Sequence, residues 1–483
     1  MVISLTEFEP VIGMEMHTEL GTQSKIFCGC STAFGAEPNT QTCPVCLGLP
    51  GSLPVLNRQV VEYGLRAALA LHCKVNAPCI MERKNYYYPD LPKAYQISQR
   101  MLPLGAEGYV EIPGDGGTKR VGITDAHIEE DTGKSLHGSL AGDPDSSLID
   151  YNRSGIPLLE IISEPDMNSV EDAEAYMETM RSIMLYLEVS DCKMEHGRMR
   201  FEASVSLRPK GTTKLGTRVE IKNLNSFRAV THSLLSEIDR QRKLLGAGVE
   251  IVQETMLWDE ERGVTEPMRS KEFAHDYRYF PEPDLVPIVI DDAWINRARA
   301  VLPELPRARR QRFVREFSLP EYDATVLTSA KASADFFETA TGLYDSPKVI
   351  SNWMMGDFAA LLNADGREIQ DSSVTPKRLT DMLKMIDGEI ISGKIAKTVF
   401  EEMYRTGRAP GEIVKEKGLV QISDESAVEL IVDEVIAENP DAVENFRGGN
   451  EKSIGFLVGQ VMKKSRGKAN PQLVNDLLKR RMG

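Results

Sequence analysis

The chain has 483 residues, of which 41% are hydrophobic and 27% charged, proportions typical of a soluble globular protein with about two to four domains. No run of residues approaches the roughly 20 apolar side chains that a membrane-spanning helix needs, which excludes an integral membrane protein with such helices. The formal net charge of −15 argues against a protein that coats itself with nucleic acid, because phosphate binding depends on Lys and Arg. Residues 1–10 do not resemble a signal peptide, so we expect a cytoplasmic protein without a membrane partner.

The first three fifths of the chain combine alternating segments with a few helical ones. Residues 11–20 alternate and are predicted to form a strand with Glu15, His17 and Glu19 on one face. Ser169 is a predicted N-cap of a helix that runs to about residue 187. A strand follows over residues 200–208, and a second helix is predicted over residues 227–245, before two glycines. Grouped strands with inserted helices favour an α+β fold over a regular βαβ array.

Helical periods dominate after about residue 292, and a short break at residues 407–411 precedes a last helical block. We therefore predict an α+β domain over residues 1–293, an all-α helical domain over 294–408 and a small α-helical tail domain over 409–483. Basic residues are concentrated from Arg447 onward, where only two acidic residues occur. This charge pattern is compatible with a local RNA contact, and equally with a helical end whose charges are solvated.

Four of the seven cysteines are clustered in two pairs, Cys28-x-Cys30 and Cys43-x-x-Cys46. Two close thiolate pairs across a short loop offer the four soft ligands of a tetrahedral structural zinc site. Such a site has all its positions filled, so it predicts metal binding and not catalysis. The alternative is a set of unpaired buried cysteines in a reducing compartment.

Carboxylates are also clustered. Residues 127–131 are His-Ile-Glu-Glu-Asp, Glu160 ends an apolar run, and Glu15 and His17 share a strand face. Repulsion makes grouped carboxylates unfavourable unless a cation neutralises them, and Mg²⁺ bridging substrate phosphates would do so. Imidazole suits Mn²⁺ or Zn²⁺ better than Mg²⁺. Surface acids of an acidic protein are the alternative interpretation.

A third group of residues combines aromatic and basic side chains. Residues 83–99 contain Tyr beside Lys and Arg, and residues 276–281 have a similar Tyr and Pro composition. Such side chains can stack on a base and contact phosphate. Aromatic turns that pack on the core are the alternative.

These segments occur in one characteristic order. The motifs are V-I-G-M-E-M-H (11–17), S-K-I-F-C-x-C (24–30), C-P-V-C-L-G-L-P-G-S-L-P-V-L-N (43–57), R-K-N-Y-Y-Y-P-D-L-P-K-A-Y-Q-I-S-Q (83–99), H-I-E-E-D-T-G-K (127–134), D-Y-N-R-S-G-I-P-L-L-E-I (150–161), E-I-K-N-L-N-S-F (220–227) and D-Y-R-Y-F-P-E-P-D-L (276–285). With G-F-L-V-G-Q-V-M (455–462) and G-K-A-N-P (467–471), the whole chain closely resembles the B subunits of three-subunit aspartyl/glutamyl-tRNA amidotransferases.

The resemblance implies a cradle-shaped antiparallel-sheet domain with inserted helices, a helical domain and a small helical tail that contacts tRNA. It implies that Glu15, His17, Glu130 and Glu160 are the catalytic and metal-binding residues, with Glu129 as the adjacent alternative to Glu130. The residues that line the same substrate and ATP cavity would be Lys84, Tyr88, Asp90, Lys93, Asn152, Arg153, Lys222 and Asn223. Zinc would be held by Cys28, Cys30, Cys43 and Cys46, and tRNA would be contacted by Lys463, Lys464, Arg466 and Lys468. One departure concerns Glu202 and Ser204, where many members have Asp and Asn.

The resemblance also implies partners and a reaction. The cofactors would be ATP, Mg²⁺ (or Mn²⁺) and a structural Zn²⁺. The partners would be an amidase A subunit, a small C subunit, misacylated tRNA and, as a further candidate, a non-discriminating aminoacyl-tRNA synthetase. The side-chain carboxylate of Glu-tRNA(Gln) or Asp-tRNA(Asn) would be phosphorylated by ATP and then amidated by ammonia from the A subunit. Two other classes compete with this ligase: a non-catalytic tRNA-binding scaffold, and a free-standing metal-dependent hydrolase.

Overall fold

A computed structural model describes residues 8–114, 116–138, 146–268, 277–420, 425–448, 450, 452–465 and 468–483. The chain forms two compact units, Met1–Leu305 and Pro306–Gly483. The first is built on β-sheets and the second is helical, so the predicted α+β class with a C-terminal all-helical region is confirmed. The domain boundaries near residues 293 and 409 stay predictions.

Within the residues that the structure describes, the named strands all lie in the first unit. They are β1 (Phe8–Glu19), β2 (Lys74–Val75), β3 (Glu82–Asn85), β4 (Tyr95–Ser98), β5 (Gly105–Gly114), β6 (Gly117–Glu130), β7 (Lys134–His137), β8 (Ser147–Asp150), β9 (Pro157–Ser163), β10 (Met199–Pro209), β11 (Val219–Lys222), β12 (Thr255–Asp259), β13 (Val264–Pro267) and β14 (Phe280–Pro281). The main sheet has the order β13-β12-β11-β10-β1-β9-β6-β5-β2, and only β11 and β12 pair in parallel. Two smaller sheets have the orders β14-β3-β4 and β7-β8.

Among the described residues of this unit, the α-helices are α1 (Arg58–Ala70), α2 (Val170–Tyr186), α3 (Phe227–Gly246) and α4 (Asp292–Ala300). Helix α2 begins at the predicted cap, where the Ser169 side chain accepts a hydrogen bond from the Asp172 amide. Helix α1 packs on β5 and β6, while α3 packs on β10. One continuous hydrophobic core lies under the sheet, and it includes Ile128, Leu159 and Met16 from the three neighbouring strands β6, β9 and β1.

The second unit contains α5 (Pro306–Phe317), α6 (Glu321–Leu327), α7 (Lys331–Leu343), α8 (Pro347–Trp353), α9 (Ala359–Asp365), α10 (Pro376–Asp387), α11 (Gly393–Thr406), α12 (Pro410–Glu416), α13 (Glu425–Glu438), α14 (Pro440–Arg447), α15 (Lys452–Lys464) and α16 (Pro471–Met482). A π-helical turn, Met354–Phe358, separates α8 from α9. The apolar side chains of the second unit form two clusters, one within residues 313–414 and one within residues 428–482. In the part of the chain that the structure describes, every helix is too short or too polar to cross a membrane.

Near the edge of the main sheet, Gly108 of β5 packs closely against the backbone of residues 71–73. A Cβ atom there would lie 2.6 Å from the Leu71 carbonyl oxygen and would also contact Cys73 Sγ. Because a backbone oxygen cannot move aside independently, we expect Gly108→Ala to lower the free energy of unfolding by about 2 kcal/mol, as overpacking does elsewhere. The midpoint of urea unfolding measures this change.

The matched control is Gly342→Ala in α7, where a Cβ atom would meet no other atom within 4 Å. It should leave stability unchanged or raise it by up to about 1 kcal/mol, since Ala favours helix more than Gly does. Equal effects of the two substitutions would contradict the packing described for β5.

Candidate functional site

Three neighbouring antiparallel strands align two histidines with one glutamate. His17 of β1 lies opposite Glu160 of β9, and His127 of β6 lies opposite the same glutamate. The Nε2 atoms of His17 and His127 lie 3.3 and 3.2 Å from Glu160 Oε2. Side chains directly opposite each other in a sheet share one face, so the register itself places the carboxylate between two imidazoles.

Glu129 completes this cluster. It lies two residues after His127 on β6, and its carboxylate oxygens are 3.9 Å from His17 Nε2 and 4.0 Å from His127 Nε2. The Ser98 hydroxyl donates a hydrogen bond to Glu129 Oε2 at 3.2 Å. The four residues His17, His127, Glu129 and Glu160 are called the histidine–glutamate cluster below.

Glu130 does not join the cluster. Successive strand residues point to opposite faces, and the Glu130 carboxylate accepts hydrogen bonds from the Ile97 amide and the Lys93 ammonium. The sequence left open which of the two adjacent acids faces inward, and the structure places Glu129 there. Lys93 is consequently engaged with Glu130.

Asp125 orients the second histidine. Its Oδ1 is 2.7 Å from His127 Nδ1, while His127 Nε2 faces Glu160. A proton on Nδ1 therefore donates to Asp125 and leaves Nε2 directed at the cluster. Neither Asp125 nor His127 was among the predicted site residues. The available signal was the alternation of residues 125, 127 and 129, which places all three on one face of a strand.

The charges of the cluster are strongly coupled. Burial would lower the pKa of His17, but the charge and hydrogen bond of Glu160, together with the Glu129 charge, raise that pKa to about 9. Burial opposes ionisation of Glu160 as well, yet His127 and His17 hold its pKa well below the ordinary value. In the metal-free protein, the His17–Glu160 ion pair therefore stabilises the fold at pH values at which Glu160 is ionised and His17 is protonated. This stabilisation is lost as the pH rises through about 9, where His17 becomes neutral.

Glu15 lies beside the cluster on β1. Burial and the nearby Glu160, followed by Glu202 and Glu220, raise the pKa of Glu15 to about 7. Glu15 pairs with Glu202 across β1 and β10. A carboxyl group surrounded by other carboxylates is expected to lose its proton more readily once a cation is nearby.

The donor set of the cluster fits a divalent cation. One ligand atom from each of His17, Glu129 and Glu160 lies within 4.8 Å of the others. Two carboxylates and an imidazole are ligands of Mg²⁺, Mn²⁺ and Zn²⁺, with imidazole favouring the last two. Glu15 and Glu130 are outside this set of three.

The four clustered cysteines also converge. One Sγ atom from each of Cys28, Cys30, Cys43 and Cys46 lies within 4.8 Å of the others. Four ligands at the usual Zn–S distance of about 2.3 Å are about 3.8 Å apart, so the group fits a tetrahedral zinc ion. A hydrogen bond from Cys28, followed by contacts that include the Lys25 charge, lowers the pKa of Cys46 to about 4. Burial raises the pKa of Cys30 to about 11.

Two predicted substrate-binding lysines face the acidic residues. The Lys84 ammonium lies over the rings of Tyr277 and Tyr86, 5.1 and 5.6 Å from their centroids. Burial opposes its charge, but Glu129 raises the pKa of Lys84. Lys222 lies 3.5 Å from Glu202.

The other predicted cavity residues have local roles. Asn152 binds the cysteine-containing loop through the Gln41 amide and the Glu37 carbonyl. Arg153 donates to the Thr132 and Gly133 carbonyls. The remaining predicted cavity residues are Tyr88, which is 59% exposed, Asp90, whose carbonyl accepts from the Gly133 amide, and Asn223, which donates to the Trp258 carbonyl.

The predicted tRNA-binding residues lie at the end of α15 and just after it. Lys463 is exposed, whereas Lys464 forms ion pairs with Glu434 and Glu438. Lys468 is partly buried. Arg466 lies outside the described residues.

Comparison with known proteins gives consistent results along the chain. The family model described as "GatB/GatE catalytic domain" matches residues 10–296, and the model described as "GatB domain" matches residues 335–482. A protein of Caldanaerobacter subterraneus subsp. tengcongensis is 59% identical over 98% of this chain and 99% of its own length. Proteins of Carboxydothermus hydrogenoformans and Geotalea uraniireducens are 56% and 54% identical, over 98–99% of this chain and 99% of each relative. All three are named as the B subunit of an aspartyl/glutamyl-tRNA(Asn/Gln) amidotransferase.

The coupling within the cluster can be measured directly. In metal-free protein, Glu160→Gln should lower the pKa of His17 from about 9 to near its ordinary value of 6.5 or below, because burial then acts with little compensation. NMR titration of histidine-labelled protein in the presence of a chelator gives this pKa, and only seven histidines need to be resolved.

The control is Glu111→Gln in β5, which forms an ion pair with Arg120. It should leave the His17 titration unchanged. A His17 pKa that is the same in the wild type and Glu160→Gln would contradict the cross-strand arrangement.

Proposed function

Because the chain belongs to the family of aspartyl/glutamyl-tRNA(Asn/Gln) amidotransferase B subunits, we propose that its histidine–glutamate cluster is the site of ATP-dependent carboxylate activation. In this proposal the γ-phosphoryl group of ATP passes to the side-chain carboxylate of Glu or Asp attached to tRNA. Ammonia then attacks the acyl carbon, the C–N bond forms, and phosphate leaves. The product is Gln-tRNA(Gln) or Asn-tRNA(Asn).

The observation that carries this proposal is the alignment of His17, Glu160 and His127 across three strands, with Glu129 beside them. Phosphoryl transfer needs little covalent participation by the protein, but it needs charges that are fixed before the reaction. Rigid sheet positions supply that fixation, because neighbouring strands hold each side chain in register.

A divalent metal would be held by His17, Glu129 and Glu160, which are the convergent ligands. When bound, Mg²⁺ or Mn²⁺ would neutralise phosphate oxygens of ATP. Glu15 would provide a further carboxylate at the edge of this site, close to Glu160. We assign Glu130 a supporting role, since it holds Lys93 and the β4 backbone.

Lys84 and Lys222 would bind the anionic groups of the substrates. Both lysines lie near carboxylates of the site and have raised pKa values, so they are cationic at neutral pH. Lys84 is additionally enclosed by tyrosine rings, which stabilise a cation through their π faces.

The ammonia would come from a separate subunit. The relatives are by their names one part of a multi-subunit enzyme, and we propose the amidase A subunit and the small C subunit as partners of this chain. All seven cysteines of this chain are described. Four form the metal-type cluster, and burial raises the pKa values of Cys73, Cys79 and Cys192 to between about 11 and about 12. Such thiols are poor nucleophiles at neutral pH, which supports glutamine hydrolysis by a partner.

We further propose a structural Zn²⁺ at the four cysteines and a tRNA contact by the C-terminal helices. The zinc proposal is supported by the four convergent thiols. The tRNA proposal is supported by the basic residues in the last turns of α15 and α16. We retain residues 1–293, 294–408 and 409–483 as the proposed functional domains.

The cluster can be tested in the reconstituted complex with misacylated tRNA. Glu15→Ala combined with His17→Ala should reduce tRNA-dependent ATP hydrolysis and amide formation by at least about 10²-fold, the range lost when transition-state charge stabilisation is removed. Filter binding of tRNA and the hydrolysis of glutamine should continue.

Glu111→Gln serves as the matched acidic control, because it lies on β5 outside the cluster. Amide formation at the wild-type rate in the double variant would instead favour a tRNA-binding scaffold. Activity of the isolated chain without tRNA or ATP would favour a hydrolase.

The tail proposal makes a second prediction. Lys463→Ala should weaken tRNA binding and reduce the slope of log K against log salt by about one unit, because an exposed lysine releases a counterion when it meets phosphate. Lys464→Ala should have a smaller effect, since Lys464 is already neutralised by Glu434 and Glu438. Equal salt slopes for the wild type and Lys463→Ala would remove Lys463 from the contact.

A further inference from the structure

The chain buries one lysine completely beside the cysteine cluster. Lys25 is 0% exposed, although charged side chains are almost never fully buried unless they are paired. Its ammonium donates to the Tyr151 carbonyl at 3.3 Å and to Cys46 Sγ at 3.6 Å. Among the ion pairs of the described residues, none joins Lys25 to a carboxylate.

Neutral partners do not account for this burial. Moving an ammonium out of water costs several kcal/mol even after relaxation, and a carbonyl oxygen alone leaves the positive charge uncompensated. Lys25 lines a small cavity together with Cys46, Lys93 and Glu130, but the Glu130 carboxylate is engaged by Lys93 and the Ile97 amide. A negative charge at the sulfur would resolve the imbalance.

Two hydrogen-bond donors of the protein point at the Cys46 sulfur. Cys46 is 5% exposed, and its Sγ accepts from the Cys43 amide at 3.2 Å as well as from Lys25. A zinc ion with four thiolates has a formal charge of −2, and one neighbouring ammonium reduces this to −1. Hydrogen bonds from the protein to metal ligands stabilise such sites and tune metal affinity.

The second hydrogen bond of Lys25, to the Tyr151 carbonyl, connects it to a different segment of the first unit. Tyr151 precedes Asn152 and Arg153, which belong to the segment proposed to line the nucleotide site. The same segment is tied to the cysteine loop by the Ser154 hydroxyl, which donates to the Cys46 carbonyl at 3.3 Å. The Gly155 carbonyl accepts from the Ile26 amide, next to Lys25 in the chain.

We propose that Lys25 is the counter-charge of a metal-bound Cys46 thiolate and that it couples metal occupancy to the position of residues 151–155. This inference rests on the zinc site of the proposed function, but not on the reaction assigned to the histidine–glutamate cluster. Lys25 acts here as a positioning residue, because it contacts a metal ligand and a backbone carbonyl but no reacting atom.

The counter-charge makes an unusual prediction about stability. Lys25→Met keeps the length of the side chain and removes the charge. With zinc bound, it should lower the thermal midpoint, because the negative cluster loses its partner. After removal of zinc by a chelator, Lys25→Met should lower the midpoint less than it does with zinc bound, because the charge of the four-thiolate zinc site that Lys25 balances is gone. A lysine that only packs would shift the midpoint by the same amount in both states.

Zinc affinity gives an independent measurement on the full chain. Competition with a chromogenic chelator should show that Lys25→Met weakens zinc binding about 10- to 100-fold, the usual effect of removing a partner of a metal ligand. Lys25→Gln removes the charge but retains a hydrogen-bond donor for the Tyr151 carbonyl, so it separates the two effects. It also replaces Lys25→Met in these measurements if the methionine variant does not fold. Lys74→Met replaces an exposed lysine of β2 and should have no effect.

Hydrogen exchange tests the coupling to residues 151–155. Chelation should increase amide exchange in this segment of the wild type, and Lys25→Met should show increased exchange even with zinc bound. Unchanged zinc affinity together with unchanged exchange in a folded Lys25→Met protein would overturn the proposal. These readouts do not require ATP or tRNA, so failure of the amidotransferase assignment would leave them unaffected, and their failure would leave that assignment intact.

Discussion

The register of β1, β9 and β6 is the constraint on which the candidate site depends. His17, Glu160 and His127 are direct cross-strand neighbours, so a shift of one residue in either pairing would turn part of the cluster to the opposite face. Buried apolar side chains that alternate with these polar ones, such as Met16 and Ile128, make such a shift costly. The core therefore fixes the geometry of the charged cluster.

The same alternation explains how two adjacent acids take different positions. Glu129 faces the histidines, whereas Glu130 faces β4 and holds Lys93. Position along the strand, and not the chemistry of the side chain, separates a candidate metal ligand from a residue that supports the neighbouring sheet. The fully buried Lys25 contacts the Cys46 sulfur, and the proposed metal-bound thiolate would balance its charge.

Much of this architecture was predictable from local patterns. The strand predicted over residues 200–208 is β10, and its inward residues Phe201 and Val205 are buried. The cap at Ser169 and the helix from residue 227 were predictable because capping and the helical period are local properties. The convergence of the four cysteines follows from their spacing. The choice between Glu129 and Glu130 was not predictable, since it depends on the exact start of β6 and its pairing. The alternation of residues 125, 127 and 129 is a local signal that Asp125 and His127 share a face with Glu129, but the pairing of that face with β9 joins residues far apart in the chain and was not predictable.

Anomalous diffraction from crystals of the complete enzyme grown with Mn²⁺ and an ATP analogue would test the central claim most directly. The account predicts a manganese peak within bonding distance of His17, Glu129 and Glu160, next to the phosphates of the analogue. A well-occupied nucleotide bound elsewhere in the enzyme, with no metal at these three residues, would contradict it.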